Sequence, residues 1–259
     1  MANNATETVI ETAMSGDARH VARYAAGPED VRRAQGLRAE GFGRAGGIDR
    51  DAFDEVCRHV LVEERATGRL VCCYRVLILS GGCEIDRSYS AQFYDLSALA
   101  GFKGRMAEIG RFCLAPDLAD PNILRVAWAA LTRLVDAEGI ALLFGCSSFK
   151  GVRAEAYLDA FALLRARHLA PQHWRPGVKA LHVYPFAQRL QRHRPDPRAA
   201  MRHMPPLLRT YLGMGGWVSD HAVIDRDLGT LHVFTGVEVG AIPDRRKRAL
   251  RAMAGCVAG

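Results

Sequence analysis

The sequence predicts one α/β domain with a basic appendage, and three observations carry that reading. Amphipathic helical patterns alternate with short apolar runs, the run at 105–114 is interrupted by a carboxylate and a guanidinium, and positive charge gathers in the last third. With 259 residues, 49% hydrophobic and 24% charged, the chain can bury a substantial core. No internal repeat divides it. The expected organisation is a poorly ordered 1–18, a single domain over 19–240 and a basic tail over 241–259.

The elements follow in chain order. A first strand is expected over 20–26. Gly27-Pro28 opens a helix, with Pro in the first turn and Glu29 and Asp30 complementing its dipole. Val31, Ala34 and Leu37 share one side of it, and the glycines at 41, 43, 46 and 47 end it in a loop. Asp51 and Asp54 bracket Phe53 before a strand at 56–63, and Thr67-Gly68 turns into a strand over 69–79 that carries Arg75. Residues 92–96 lead to the interrupted run. Asp120 is placed as an N-cap with Pro121 behind it, and ILRVAWAALTRLVDAEG reads as a helix closed by Gly139. Residues 140–145 read as a buried strand and 152–168 as a further helix. Residues 171–200, rich in Pro, Arg and His, read as a long surface excursion. PPLLRTYLGMGGW reads as a short helix, and 222–224 with 230–239 as a closing hairpin.

The run RMAEIGRFCL concentrates the chemistry. Met106, Ile109, Phe112 and Leu114 suit a buried strand, yet Glu108 and Arg111 put two charges in it, and buried charges must be paired or line a cleft. In a regular strand, residues three apart point to opposite faces. A bulge at Ile109-Gly110 would turn both to one face and free a backbone N–H, giving an acid, a cation and a donor on one pocket wall. An edge strand with solvated charges explains the same spacing.

The net charge of +7 is uneven: +5 over 186–209 and +4 over 241–259, leaving about −2 elsewhere. Arg189, Arg192, Arg194 and Arg198 form one cluster, and Arg245, Arg246, Lys247 and Arg248 another. Such clusters suit an acidic protein, an anionic lipid surface or nucleic acid, or are merely solvated. No RNA-binding motif or basic recognition helix with interleaved aromatics accompanies them, so no nucleic-acid partner is expected. Seven cysteines without a C-x-x-C pair and nine scattered histidines argue against a disulfide framework or a metal site. No apolar stretch approaches the ~18 residues of a membrane span, and no secretory signal opens the chain. The expected location is the cytoplasm, with peripheral contact to the inner membrane. Cys146, with no histidine in a motif beside it, reads as a small packing residue.

These residues carry a resemblance. The order of elements resembles the GNAT N-acyltransferase fold, which implies a mixed central sheet with a splayed middle strand flanked by helices. Leu37-Arg38 with Phe42, Asp51 with Phe53-Asp54, Arg75, Phe93, and Glu108 with Arg111-Phe112 resemble the pattern of acyl-homoserine-lactone synthases. The tryptophan those synthases carry after the first helix is missing here, which argues against S-adenosylmethionine as substrate. FDEVCRHVLV, EIGRFCLAPD, LLFGCSSF and PPLLRTYLGMGGWVSDHAVIDRDLG are similar to the ornithine N-acyltransferases of bacterial ornithine-lipid synthesis, over about 37–234. That resemblance implies transfer of a 3-hydroxyacyl group from acyl-acyl carrier protein to the α-amine of ornithine, giving lyso-ornithine lipid. Relatives that use glutamine or another amino acid leave the acceptor open, and acyl-homoserine-lactone synthesis or a non-catalytic basic lipid- or nucleic-acid-binding module are the competing readings.

The residues constrain the chemistry further. No glycine lies between Arg111 and Gly139, and Asp117 and Asp120 would repel a pyrophosphate, so a coenzyme A site on a Gly-rich loop is disfavoured. No tightly bound cofactor is expected, the donor being a phosphopantetheine thioester on the carrier protein. Glu108 is expected to take the amine proton, with Arg111 orienting it or holding a substrate carboxylate. Arg38, Asp51, Asp54 and Arg75 form a charged lining in which Asp51 or Asp54 meets the ornithine side-chain ammonium. A structural ion network shaping the hairpin is the alternative for Arg75, Asp51 and Asp54. The N–H near Gly110 polarises the thioester carbonyl, Phe42, Phe93 and Phe112 line the substrate, and the arginines at 189, 192, 194 and 198 dock the carrier.

Overall fold

The computed structural model describes residues 19–43, 46–118 and 120–255, so the expectation for 1–18 falls outside the described residues. In chain order the first elements are β1 (His20–Tyr24), α1 (Pro28–Gly41), β2 (Arg58–Glu64), β3 (Leu70–Leu79), β4 (Tyr94–Asp95), β5 (Arg105–Leu114), α2 (Pro121–Glu138), β6 (Ile140–Lys150) and α3 (Leu158–Arg167). There follow β7 (Gly177–Val178), β8 (Val183–Tyr184), α4 (Phe186–Arg189), α5 (Pro197–His203), α6 (Pro206–Leu212), β9 (Trp217–Val218), β10 (Ala222–Asp225), β11 (Thr230–Glu238) and α7 (Asp244–Met253). They fall into two compact units: the described residues within 1–77, 109–139 and 244–259, and those within 78–108 and 140–243. The strand β5 is divided between them, Glu108 belonging to the second and Arg111 to the first.

In the first unit β1, β2 and β3 are antiparallel neighbours, with Val21 opposite Glu63 and His59 opposite Arg75. β3 is buried along nearly its whole length, as a strand covered on both faces must be. Helix α1 turns Ala34 and Leu37 onto Cys73, Cys113 and Ala115. Helix α2 starts as its sequence requires: the Asp120 carboxylate accepts from Asn122 N at 2.8 Å. It stops at Gly139, whose φ of 61° is a left-handed cap that glycine adopts without strain. The basic C-terminal segment is a helix docked in this unit. Leu250 is buried, Arg251 donates to Asp136 at 2.9 Å, and Arg133 Nε donates to the Ala254 carbonyl at 2.6 Å.

In the second unit β6 is longer than its apolar run suggested. It pairs antiparallel with β11 from Leu142↔Glu238 to Lys150↔Thr230, and β10 and β8 continue the sheet. β5 lies parallel to β6 only from Arg105↔Ile140 to Glu108↔Phe144, which makes the sheet mixed. Residues 171–200 are not a surface excursion: Phe186, Leu190 and Ala200 are buried, and Phe186 stacks on Phe161 at 5.2 Å. The Phe186 and Leu190 pair, four residues apart, outweighs the local density of Pro and Arg. Among the described residues no helix is long and apolar enough to cross a membrane.

Candidate active site

The first unit gathers six charged side chains into one buried network. Arg38 donates from Nε to Asp49 Oδ2 at 2.9 Å, from Nη1 to Asp54 Oδ1 at 2.7 Å and from Nη2 to Asp54 Oδ2 at 2.9 Å. Arg75 reaches both Asp51 oxygens, at 2.5 and 2.8 Å, and Asp54 Oδ1 at 2.8 Å. Arg111 completes the set, donating to Asp49 Oδ2 at 2.9 Å and Asp51 Oδ2 at 3.1 Å. Three guanidinium groups meet three carboxylates, so the cluster is close to neutral although Arg38 and Arg75 are only 1% and 2% exposed. Losing one member would leave a buried charge uncompensated, at a cost of about 3–5 kcal/mol.

Local structure places these groups. Asp51 caps a short 3-10 turn, Ala52–Glu55, accepting from Phe53 N at 2.9 Å, while Asp54 Oδ2 accepts from Asp51 N at 3.4 Å. That reciprocal cap holds the two carboxylates side by side. Burial pushes both carboxyls up, but guanidinium partners, Arg75 for Asp51 and Arg38 for Asp54, outweigh it and leave both below the usual range. Burial also lowers the His59 pKa, so its neutral ring donates from Nε2 to the Asp54 carbonyl at 3.0 Å. Arg111 and Arg75 each lie 5.5 Å from an aromatic centroid, of Phe42 and Phe53 respectively. Phe112 stacks on Tyr74 at 5.1 Å.

The backbone irregularity falls at Arg111, not at Ile109-Gly110. Among the described residues Arg111 alone, of those other than glycine, has a positive φ, 52°. Its two aspartate partners hold a conformation that costs about 1–2 kcal/mol in isolation. A Cβ on Gly110 would sit 3.5 Å from Arg75 Nε, an ordinary contact, so Gly110 packs on that guanidinium without strain.

In the second unit Glu108 is 4% exposed and held by a turn. Its Oε2 accepts from Tyr89 N at 2.7 Å, and its Oε1 accepts from Ser90 N at 2.7 Å and Ser90 Oγ at 2.6 Å. On the far side of Ser90 Oγ, at 3.5 Å, lies the half-buried Cys146 Sγ. Phe93 packs its ring 5.3 Å from Tyr89 and 5.0 Å from His232. Arg189, Arg192, Arg194 and Arg198 are exposed, Arg189 lying over the Tyr184 ring at 5.4 Å. On α7 of the first unit, Arg245, Arg246 and Arg248 are exposed and Lys247 half-buried.

Thus Arg38, Asp51, Asp54 and Arg75 are brought together as the expected charged lining, whereas Arg111, expected to share a pocket wall with Glu108, pairs instead with Asp49 and Asp51 of this network, over the Phe42 ring. Asp49, Gln35 and the Tyr89–Ser90 turn were missed. Gln35 donates to Asp54 Oδ2 at 2.9 Å from the same helix as Arg38, and a polar residue three positions before it on that buried side is the signal that was available.

Residues 33–129 match the acetyltransferase (GNAT) domain. With the mixed α/β fold, this defines the class: a GNAT-type acyltransferase. The L-ornithine N(alpha)-acyltransferase of Rhodobacter capsulatus is 32% identical over 241 residues, which is 87% of this chain and 92% of that one. The protein of the same name from Brucella abortus is 29% identical over 205 residues, 76% of this chain and 72% of its own. Among solved structures, an N-acyl amino acid synthase from uncultured soil microbes has a TM-score of 0.47 at 12% identity, covering 92% of this chain and 97% of that one. The chain belongs to the L-ornithine N(alpha)-acyltransferase family and is an acyltransferase.

Proposed function

We propose that this enzyme transfers a 3-hydroxyacyl group from acyl-acyl carrier protein to the α-amine of ornithine, forming lyso-ornithine lipid. The observation that carries the acceptor is the match to named ornithine acyltransferases across most of both chains. In the reaction the amine attacks the thioester carbonyl, a C–N bond forms, the C–S bond breaks and the carrier thiol leaves. Glu108 takes the amine proton through the Ser90 hydroxyl that donates to its Oε1. The backbone N–H groups of Tyr89 and Ser90 fix that carboxylate, so little reorganisation accompanies the transfer.

Asp51 is the most accessible carboxylate of the ion network, with a side chain 24% exposed, and it meets the ornithine ammonium. Arg111, 9% exposed, meets the ornithine carboxylate. In the first unit the aromatic rings of Phe42 and Phe112 line the substrate. The exposed arginines at 189, 192, 194 and 198 dock the acidic carrier, and the cationic face of α7 rests on anionic lipid at the inner face of the membrane. No tightly bound cofactor takes part. The test is to offer the purified protein 3-hydroxypalmitoyl-carrier protein with ornithine, glutamine or S-adenosylmethionine and to identify products by mass spectrometry. Acylated ornithine is expected; a product only with one of the other amines would overturn the acceptor.

A further inference from the structure

Within the second unit a row of rings leads from Glu108 to a buried histidine that proton transfer does not use. Glu108 is paired with Phe144, and the Phe144 ring stacks on Phe234 at 5.7 Å. Phe234 in turn packs 5.7 Å from Tyr94, and Tyr94 packs 5.3 Å from the His221 ring. Tyr94 lies in β4, just beyond the Tyr89–Ser90 turn that holds the Glu108 carboxylate, so both ends of the row belong to one site. These rings suit methylene groups and offer little to a polar atom, since the Tyr94 hydroxyl is already committed to the His232 carbonyl at 2.8 Å.

His221 sits in the tight connection between β9 and β10, and both its backbone and its ring are fixed. Ser219 Oγ accepts from Phe234 N at 3.1 Å and donates to the His221 carbonyl at 2.7 Å. His221 Nδ1 lies 2.7 Å from Asp220 Oδ1, and because a carboxylate only accepts, Nδ1 carries a proton. That hydrogen bond holds the Asp220 carboxyl below the usual carboxylate range. The opposite nitrogen, Nε2, is buried and has no hydrogen-bond partner among the described residues, in a side chain only 1% exposed. Buried polar groups are nearly always paired, because an unpaired one loses its hydration for nothing. A ring oriented by a carboxylate, with its other nitrogen left over, is suited to a ligand.

We propose that His221 Nε2 receives the 3-hydroxyl of the donor acyl chain and so sets the preference for a 3-hydroxyacyl thioester over a plain one. This rests on the proposed acyl-transfer function and deepens it. The hydroxyl-bearing carbon is two bonds from the thioester carbonyl carbon, so a carbonyl placed for attack at the Glu108 end carries its hydroxyl into the same row of rings. A hydroxyl both donates and accepts, and it pairs with Nε2 whether or not that nitrogen holds a proton. A donor without the hydroxyl leaves Nε2 buried and unpaired, the arrangement by which a polar site rejects an apolar analogue.

The test offers the full-length protein 3-hydroxypalmitoyl- or palmitoyl-carrier protein with ornithine and compares kcat/KM for the two donors. Wild type should favour the hydroxylated donor on the order of tenfold to a hundredfold. His221→Phe should bring that ratio close to one, and Asp220→Ala, which releases the ring, should narrow it. A merely structural role would slow both donors alike and keep the ratio. A wild-type ratio near one, or a His221→Phe ratio equal to wild type, overturns the inference while ornithine acylation stands. Should His221→Phe fail to fold, Asp220→Ala decides, and a wild-type ratio in that variant overturns the inference. If the expected ratios appear only with another amine, the hydroxyl site stands and the acceptor assignment fails. A wild type that uses neither donor with any amine overturns both.

Discussion

The first unit and the second bury charge in opposite ways. Around Arg38, Arg75 and Arg111, each cation is met by carboxylates, and each carboxylate serves two arginines. Around Glu108, two backbone N–H groups and a hydroxyl hold the carboxylate. A carboxylate locked between two guanidinium groups is a poor base, because protonating it would break ion pairs. Donated hydrogen bonds also favour the ionised form of Glu108, which differs from the network carboxylates in having a hydroxyl beside it. The contrast is between a closed ion network in the first unit and a carboxylate held by neutral donors in the second.

The largest expected effect tests the second cluster. Glu108→Gln should cut acyl transfer by roughly 10²–10⁴-fold while the protein stays folded, measured as the rate of acylated ornithine formation together with a thermal melt. Wild-type-like rates would remove Glu108 from the mechanism and break the comparison at once. Next come the counterparts in the first unit. Asp54→Asn leaves Arg38 and Arg75 short of a partner and should cost about 3–5 kcal/mol in denaturant unfolding. A loss below 1 kcal/mol would mean the network is dispensable to the fold. Arg111→Ala should raise the KM for ornithine about tenfold, the worth of one charge-assisted contact, with a smaller change in kcat. A fall in kcat at unchanged KM would move Arg111 into the chemistry.

Acid offers a milder probe. Asp51 and Asp54 are held below the ordinary carboxylate range, so the unfolded chain binds more protons than the folded one as the pH drops. Their stabilisation is full above pH ~4, the usual carboxylate value, and shrinks as pH falls below it. Calorimetry from pH 6 to 3 should show the melting temperature falling, and falling less in Asp54→Asn. An equal fall in both would place the acid sensitivity elsewhere. The smallest effect belongs to the surface. Replacing Arg189, Arg192, Arg194 and Arg198 by Glu should raise the KM for the carrier several-fold in low salt and little in high salt. Salt-independent kinetics would show that the carrier docks elsewhere.

How much was legible in the sequence follows from what kind of signal each feature leaves. Helix α2 announced both its ends, through Asp120 and Gly139, and the β10–β11 hairpin showed its alternation and turn. Arg75 stood out as a lone cation in an apolar run, and a carboxylate partner could be inferred because buried charges must be paired, whereas Arg111 was expected beside Glu108 and pairs with Asp49 and Asp51. Asp49 could not be inferred, since it sits in a polar loop where any carboxylate looks solvated. The turn at Tyr89–Ser90 was equally silent, because backbone N–H donors exist at every residue and only the fold decides which converge. For the same reason the chain irregularity was placed at Gly110, the permissive residue, whereas ion pairs hold it at Arg111.

The central claim is that this chain acylates ornithine using Glu108 as proton acceptor. The most direct test is mass spectrometry of lipids from cells that lack aminolipids and express either the wild-type chain or Glu108→Gln. Lyso-ornithine lipid with the wild type and not with the variant is the predicted result. Its absence with both, or equal amounts with both at equal protein levels, would contradict the account.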